Sequence, residues 1–350
     1  MSICIFSCTQ TQYADLILSR LGKGYLHAQG IYKDWFQKGR VESSADWIQP
    51  QAQELVKKII EITDFRLPEI SQEKQEGELV KFLLKFSDGL ESESVIIPMK
   101  FGVTLCISSQ VGCRMGCTFC QTGKMGLLRN LSAQEIVSQV FFARHTYGKF
   151  IRNIVFMGMG EPMDNFDEVK SAIAVLSCSS GLQIAPSRIT ISTSGVISGI
   201  YRMIDEIDPA INLAVSVNAP NNDIRRKIMP VNQKWNMDQL KIAMADYCAN
   251  PRRAILAEYV LLEGINDSLA DANQLATYLD GLSIKINLIP YNSQERDRFK
   301  PPHSQVVDEF ASRLRSLGYK TLVRTTKGSN IMAACGQLGN KEQRTRLHVV

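Results

Sequence analysis

The chain has 350 residues, of which 45% are hydrophobic and 21% are charged, a composition typical of a globular protein. This length is sufficient for one large α/β barrel with a small appendage, and no apolar run reaches the roughly 18–20 residues of a membrane helix. The net charge of +5 and the isoelectric point near 8.6 permit an acidic partner, but so small an excess does not decide by itself whether there is one.

Residues 1–75 are predicted to form a compact helical module. Amphipathic patterns occupy residues 15–22 and 51–62, and the polar stretch between them contains several aromatic side chains. Acidic and basic residues nearly balance here, so composition favours a packed helical cap at least as much as an RNA-binding domain. The apolar opening, residues 1–8, is too short for a signal peptide and lacks a basic segment, and we therefore expect a cytoplasmic protein.

Residues 76–103 are predicted to form a β-hairpin that links this module to the rest of the chain. Two β-type runs, 78–86 and 93–99, flank a Ser-Asp-Gly turn signal. Glu93 opens the second strand. Taken alone, a carboxylate in this position indicates only solvated surface.

Residues 104–300 alternate between β-rich runs and helical patterns, which predicts a parallel sheet curled into a partial (β/α)6 barrel. The predicted strands cover residues 104–109, 153–157, 188–192, 212–217, 255–261 and 285–290. Ligands of such folds lie at the carboxyl ends of the strands. Polar and glycine residues stand at these ends, namely Gly158, Gly160, Glu161, Ser192, Ser194, Ser216, Asn218 and Asn292. The sequence therefore predicts a binding site there, in an α/β fold.

Residues 301–350 are predicted to form a C-terminal extension of a helix at 305–317, a strand at 319–325 and a loop at 327–340. The last ten residues, 341–350, begin with a basic stretch and are expected to be peripheral. Cys335 lies in the loop, between two alanines and a glycine. A lone cysteine in such surroundings is most often an inert, buried thiol.

Cys113, Cys117 and Cys120 follow the first barrel strand in the spacing C-x3-C-x2-C, which is typical of metal ligands. A structural zinc site needs four protein ligands, and His145, the nearest histidine, is too distant to be an obvious fourth. Three thiolates instead suit a four-iron, four-sulfur cluster with one open iron. The alternative is three buried thiols in a core, but the neighbouring glycine and polar residues do not favour it. Nine cysteines, an odd number, also do not suggest a secreted disulfide framework, and they fit a reducing compartment.

The string TLCISSQVGCRMGCTFCQTGKMGLLRNL, residues 104–131, resembles the RlmN/Cfr family of radical S-adenosylmethionine (SAM) adenosine methyltransferases of RNA. GMGEP at 158–162 resembles the family's SAM-binding loop, and AACGQL at 333–338 resembles its C-terminal signature. The resemblance covers residues 78–340. It implies a 4Fe-4S cluster on Cys113, Cys117 and Cys120. It also implies that SAM is bound by Gly160, Glu161, Ser192, Ser216, Val217, Asn218 and Asn292.

The resemblance further implies roles for Cys335, Cys106 and Glu93. One SAM methylates Cys335, and a second, cleaved at the cluster, yields a radical that takes a hydrogen atom from the new S-methyl group. The methylene radical adds to adenine because carbon 2, being electron-poor, cannot attack SAM directly. Glu93 then accepts a proton. Cys106 attacks the sulfur of Cys335, forms a transient disulfide and frees the methylated base.

The implied product is 2-methyladenosine at the peptidyl transferase centre of 23S ribosomal RNA and beside the anticodon of tRNA, with electrons from a flavodoxin-type donor. Residues 1–75 would then be an RNA-engaging accessory domain. Pro162 favours the RlmN branch over the Cfr branch, which methylates carbon 8. Two positions depart from the family pattern, Asn218 in place of histidine and Met332 in place of aspartate. The alternatives are carbon-8 specificity, a non-catalytic iron-sulfur RNA-binding factor, or a radical SAM enzyme of small molecules or peptides.

Overall fold

A computed structural model describes residues 2–41, 48–294, 297–324, 328 and 330–339. The predicted basic tail, 341–350, and the end of the predicted strand at 319–325 lie outside these residues. Within the described ranges, no helix is long and apolar enough to cross a membrane.

The strands are numbered along the described chain. They are β1 (Ile3–Cys4), β2 (Thr63–Asp64), β3 (Glu69–Glu76), β4 (Leu79–Lys85), β5 (Glu91–Pro98), β6 (Val103–Cys106), β7 (Gln110–Cys113), β8 (Gly126–Asn130), β9 (Ile151–Phe156), β10 (Ile189–Thr193), β11 (Asn212–Ser216), β12 (Ile255–Leu261), β13 (Ile284–Pro290) and β14 (Thr321–Val323).

The helices are numbered in the same way. They are α1 (Gln10–Leu21), α2 (Tyr25–Lys38), α3 (Gln53–Glu61), α4 (Gln121–Met125), α5 (Ala133–His145), α6 (Phe166–Leu176), α7 (Ile197–Glu206), α8 (Asn222–Ile228), α9 (Met237–Cys248), α10 (Leu269–Leu279) and α11 (Ser304–Ser316). Short 3-10 helices span Ile5–Ser7, Pro50–Ala52, Pro162–Asn165, Pro186–Arg188 and Pro230–Gln233.

Ten strands of the described chain form one sheet in the order β14-β13-β12-β11-β10-β9-β6-β5-β4-β3. The half from β6 to β14 is parallel, and the half from β3 to β6 is antiparallel. All six predicted barrel strands are present and parallel, which confirms the α/β fold class. β14 continues the parallel half beyond β13, so the described parallel half has one strand more than the predicted barrel.

The helices between these strands begin where the sequence supplies capping residues. Ser132, Asn236 and Ser268 each form a capping box at the first turn of α5, α9 and α10. Each of these helices packs one face against the sheet. Residues on that face, such as Ile136 and Leu275, are fully buried. The helices thus cover the outside of the curved sheet and leave its strand ends free to form a site.

The N-terminal helices pack on the barrel helix α5 through aromatic side chains. Trp35 stacks on Phe141 of α5 at a centroid distance of 5.0 Å, and Phe6 meets the same ring edge-on at 5.4 Å. Such pairs contribute about 0.5–1.5 kcal/mol each beyond the area they bury. Tyr32 and Phe36 are fully buried as well. Phe6, Tyr32, Phe36 and Phe141 belong to the core, and the partly buried Trp35 packs against it, so these rings join the N-terminal helices to the barrel.

β4 and β5 form the predicted antiparallel hairpin, with Leu83 opposite Glu93. β3 pairs with β4, and β5 pairs with β6, so the hairpin joins the barrel sheet at the edge of β6. The division of the chain into a helical module, a linker, a barrel and an extension stays a prediction.

Candidate functional site

The carboxyl ends of the parallel strands surround a cavity that collects most of the predicted site residues. Its described lining includes Cys113, Cys117, Cys120, Gly160, Glu161, Ser192, Ser216, Asn218, Asn292 and Cys335. These residues come from separate strands and loops that are distant in sequence. The topology brings them together because parallel strands end on the same edge of the sheet.

The loop that carries the cysteines connects β7 to β8, which pair as a small antiparallel sheet. Cys113 ends β7, and the short helix α4 begins directly after Cys120. Gly116 turns the loop with φ +68°, a conformation that glycine adopts without strain. The Cys120 N–H donates to the Cys117 carbonyl at 3.1 Å. Burial raises the pKa of each thiol, that of Cys117 to about 12.

The three thiols fit a cluster better than a single ion. No group of three or more histidine, cysteine or acidic residues in the described ranges is arranged to hold one metal ion. A cuboidal cluster binds each thiolate at a different iron, so its ligands need not converge on one point. The donor set of three cysteines beside a cavity with glycine, serine and asparagine residues matches that requirement.

Glu161 is 3% exposed, and its carboxylate is held by Ser194, directly after β10, and by Met163. One oxygen accepts hydrogen bonds from the N–H and the hydroxyl of Ser194, both at 2.7 Å, and the other accepts from the Met163 N–H at 3.1 Å. Burial raises the pKa of Glu161, and the bonds from Ser194 oppose that shift. Gly160 has φ +107°, and a Cβ there would lie 2.7 Å from the Cβ of Gln110. The loop therefore requires glycine at this position.

Asn218 bridges the ends of β11 and β12. It adopts φ +55°, its side-chain oxygen accepts from the Val260 N–H at 2.8 Å, and its amide nitrogen contacts the Met229 sulfur at 3.4 Å. Ser216 and Asn218 both line the cavity, whereas the fully buried Val217 is not among the lining residues.

Arg225 supports this part of the site from behind. The side chain is fully buried, and it donates to the carbonyls of Ser194, Ser216 and Val217 at 2.6–3.1 Å. It therefore fixes the ends of β10 and β11 relative to each other. Nothing in the local sequence distinguishes it from its neighbour Arg226.

The loop that carries Cys335 is tied to the site at several points. Asn292 donates to the Cys335 carbonyl at 3.0 Å, and the Gln121 N–H donates to the Gly336 carbonyl at 2.7 Å. Thr122 donates to the Leu338 carbonyl at 2.5 Å. Cys335 thus lies directly beside the cysteine loop, although more than 200 residues separate the two in sequence.

A second cavity, of about 500 Å³, fills the interior of the barrel and also reaches Cys335. Its lining includes Cys106 from β6, Glu258 from β12, Asn287 from β13 and Arg324 after β14. Cys106 does not line the first cavity, so Cys335 is the one thiol of the described chain that borders both. All nine cysteines lie in the described ranges and are free thiols.

Glu93 lies in neither cavity lining and is not solvated, so the surface interpretation from sequence is wrong. It is 3% exposed and accepts from the Lys81 ammonium on β4 at 3.0 Å. Its other oxygen accepts from the Gly339 N–H at 3.0 Å, while Lys81 also donates to the Met332 carbonyl at 3.0 Å. The buried ion pair therefore holds both ends of the Cys335 loop.

Lys81, Arg225, Glu258 and Arg324 also contribute to the site, and none of these four residues was predicted from the sequence. Only Glu258 carried a signal, because an acidic residue in the otherwise apolar run ILAEYVL is unusual for a strand buried on both faces.

The profile of the radical SAM superfamily matches residues 107–276. Over 340 residues the chain is 51% identical to the probable dual-specificity RNA methyltransferase RlmN 1 of Protochlamydia amoebophila, covering 97% of this chain and 95% of that protein. It is also 37% identical to the dual-specificity RNA methyltransferase RlmN of Marinobacter nauticus, covering 95% and 92% of the two chains. Among solved structures, a radical SAM methyltransferase from Sphaerobacter thermophilus superposes with a TM-score of 0.88 at 35% identity, covering 96% and 98%.

Proposed function

Since this chain belongs to the RlmN family of radical SAM RNA methyltransferases, we propose that it forms 2-methyladenosine in 23S ribosomal RNA and in tRNA beside the anticodon. It acts in the cytoplasm and receives electrons from a flavodoxin-type donor. The family establishes an enzyme that methylates RNA by radical SAM chemistry, and a radical SAM enzyme in general uses SAM and a 4Fe-4S cluster.

One observation carries the proposal. Cys335 borders both the cavity that holds Cys113, Cys117 and Cys120 and the cavity that holds Cys106. A thiol in this position can receive a methyl group on one side and deliver it on the other. A structural cluster in an RNA-binding factor would not require a second and a third thiol in these places.

Cys113, Cys117 and Cys120 would hold the cluster, which when bound would supply one electron for the cleavage of SAM to methionine and a 5′-deoxyadenosyl radical. Glu161 faces the cavity with a carboxylate that suits the α-ammonium of SAM. Gly160 allows the backbone to approach the methionine part. Ser192, Ser216, Asn218 and Asn292 line the remainder of the cavity and can bond to polar groups of the ligand, whereas Val217 does not line it.

The Cys335 thiol accepts the methyl group of one SAM and then gives a hydrogen atom from that methyl group to the 5′-deoxyadenosyl radical. The carbon radical on Cys335 bonds to the base, and the adduct must then lose one electron, which the cluster would accept, and one proton. Glu93, which reaches the Cys335 loop through Gly339, accepts the proton that must leave the adduct. Cys106 attacks the Cys335 sulfur, and the electron pair of the broken sulfur–carbon bond goes to the carbon that becomes the methyl group.

Reconstituted wild-type protein and the Cys335→Ala variant, each with an intact cluster, would be reacted anaerobically with unmodified ribosomal RNA and tRNA. Nucleoside mass spectrometry should detect 2-methyladenosine with the wild type and with Cys178→Ala, a control thiol outside both cavity linings, but not with Cys335→Ala. Product from Cys335→Ala at wild-type yield would refute the covalent route. 8-Methyladenosine in place of 2-methyladenosine would assign the chain the specificity of the Cfr branch.

A further inference from the structure

The proposed reaction needs the thiolate of Cys106 in a place that disfavours it. Only the thiolate form of cysteine is a good nucleophile. Cys106 is 5% exposed, and burial together with the neighbouring Cys335 raises its pKa to about 12. A thiol in this state would be almost entirely protonated at neutral pH, so a nearby cation is needed to make it reactive.

Arg324 is the only cation among the described residues that line the second cavity. Its backbone N–H donates to the Leu288 carbonyl of β13 at 2.8 Å, which fixes the residue at the end of β14. The half-buried side chain lines the same cavity as Cys106 and Cys335. Negative charge on Cys335, Glu258 and Cys106 raises the pKa of Arg324. In turn, the positive charge of Arg324 opposes the rise that burial causes in the pKa of Cys106.

Glu258 is the other ionisable group that faces Arg324. Its Oε2 accepts from Asn287 at 2.8 Å, and its buried Oε1 has no hydrogen-bond partner among the described residues. Burial raises the pKa of Glu258 to about 7. A protonated Glu258 leaves the charge of Arg324 to the thiols, whereas an ionised Glu258 competes with them. The remaining described residues of the lining, on β5, β6, β9, β10, β12, β13 and β14 and on the loops beside them, are uncharged.

We propose that Arg324 is a positioning residue that stabilises the thiolates of Cys335 and Cys106, and so supports both nucleophilic steps. This inference rests on the proposed function, in which Cys335 and Cys106 act as the two nucleophiles. In the first, the Cys335 thiolate forms a bond to the methyl carbon, and the bond from that carbon to the SAM sulfonium breaks. In the second, the Cys106 thiolate forms the disulfide, and the sulfur–carbon bond breaks with its electron pair left on carbon, which takes a proton. Arg324 faces the negative sulfur before each step.

The test measures thiolate formation without RNA and without turnover. Cluster-loaded wild-type protein, Arg324→Met, Arg324→Lys and the exposed control Arg313→Met would be treated with limiting iodoacetamide across pH 6 to 10. Peptide mass spectrometry gives the alkylation rates of Cys106 and Cys335. Removal of the charge should move both profiles to higher pH, and a midpoint that lies one pH unit higher slows alkylation about tenfold at any pH below it. Arg324→Lys should keep most of the wild-type profile, and Arg313→Met all of it.

A second variant tests the same idea with Arg324 in place. Glu258→Gln removes the competing carboxylate, so the thiol profiles should move to lower pH. The proposal would be overturned if wild type, Arg324→Met and Glu258→Gln gave the same alkylation rates at every pH. If Arg324→Met does not fold, an alkylation profile of Glu258→Gln equal to that of the wild type would overturn it. If the profiles move as expected but no methyladenosine forms from RNA, the role of Arg324 stands and the proposed function fails.

Discussion

The buried ion pair between Lys81 and Glu93 should be a main determinant of both stability and loop placement. The two side chains are 7% and 4% exposed and lie 3.0 Å apart. Lys81→Met keeps the aliphatic stem but leaves the Glu93 carboxylate buried without its cation. It also removes the donor to the Met332 carbonyl.

The expected cost follows from these two losses. Removing one partner of a buried pair costs roughly 3–5 kcal/mol, and the lost bond to a backbone carbonyl adds about 1 kcal/mol. The double variant Lys81→Met/Glu93→Gln should cost less than the two single changes added together, because a neutral amide no longer needs a cation. The matched control is Lys170→Met, whose partner Glu206 lies on the surface; screening by solvent should make its effect several times smaller.

Urea unfolding of the cluster-loaded protein under anaerobic conditions, followed by fluorescence and circular dichroism, measures these differences. Alkylation of Cys335 at one fixed pH reports loop placement in the same samples and should accelerate in Lys81→Met. A loss of stability below about 1 kcal/mol, equal to that of Lys170→Met, would refute the reasoning from burial.

Three further predictions concern individual residues. Gly160→Ala should abolish SAM binding in equilibrium dialysis, because its new Cβ would lie 2.7 Å from another side chain. The control Gly264→Ala, at φ +67° with open space around it, should bind SAM normally. Equal binding by the two variants would contradict the packing argument. The pKa of Glu258, raised to about 7, means that the folded state binds a proton more tightly than the unfolded state. The stability that Glu258 contributes is therefore present below its ordinary pKa and lost as pH rises to about 7. Glu258→Gln should accordingly gain stability relative to wild type between pH 4.5 and about 7. A difference in urea midpoint between the two proteins that stays constant over this range would refute this. Cys106→Ala should accumulate a covalent RNA–protein adduct on denaturing gels, which Cys248→Ala should not; free methylated RNA from Cys106→Ala would exclude Cys106 as the resolving thiol.

The fold followed from local patterns in the sequence. Runs such as NIVFM and NLAVSV are short, apolar and flanked by helical patterns, which is sufficient to place parallel strands and to predict that their carboxyl ends meet. The spacing of the cysteines from Cys113 to Cys120 was equally local. These features depend on neighbours within a few residues, and the structure has all of them.

The features of the site that the sequence did not predict depend on contacts between segments that are distant along the chain. Glu93 looks like a surface residue until Lys81, on the neighbouring strand, and Gly339, 246 positions later, are placed beside it. Cys106 and Arg324 meet only because β14 extends the sheet and turns its end toward the barrel interior. No spacing rule in the sequence encodes such pairs.

Asn218 shows a further limit of reasoning by pattern. The family pattern implied a contact of this residue with SAM. In the structure the side chain spans from β11 to the Val260 N–H, and the left-handed backbone at φ +55° suits asparagine better than most residues. The residue therefore has a structural reason to be present beside any role in binding.

The central claim is that the methyl group reaches RNA through Cys335. Reaction of the wild-type protein with SAM carrying a trideuterated methyl group, followed by mass spectrometry of the nucleosides, tests it most directly. We expect 2-methyladenosine that retains two of the three deuterium atoms, because one is removed while the carbon is bound to the Cys335 sulfur. A product that retains all three would show that the methyl group is transferred intact and would contradict its passage through Cys335.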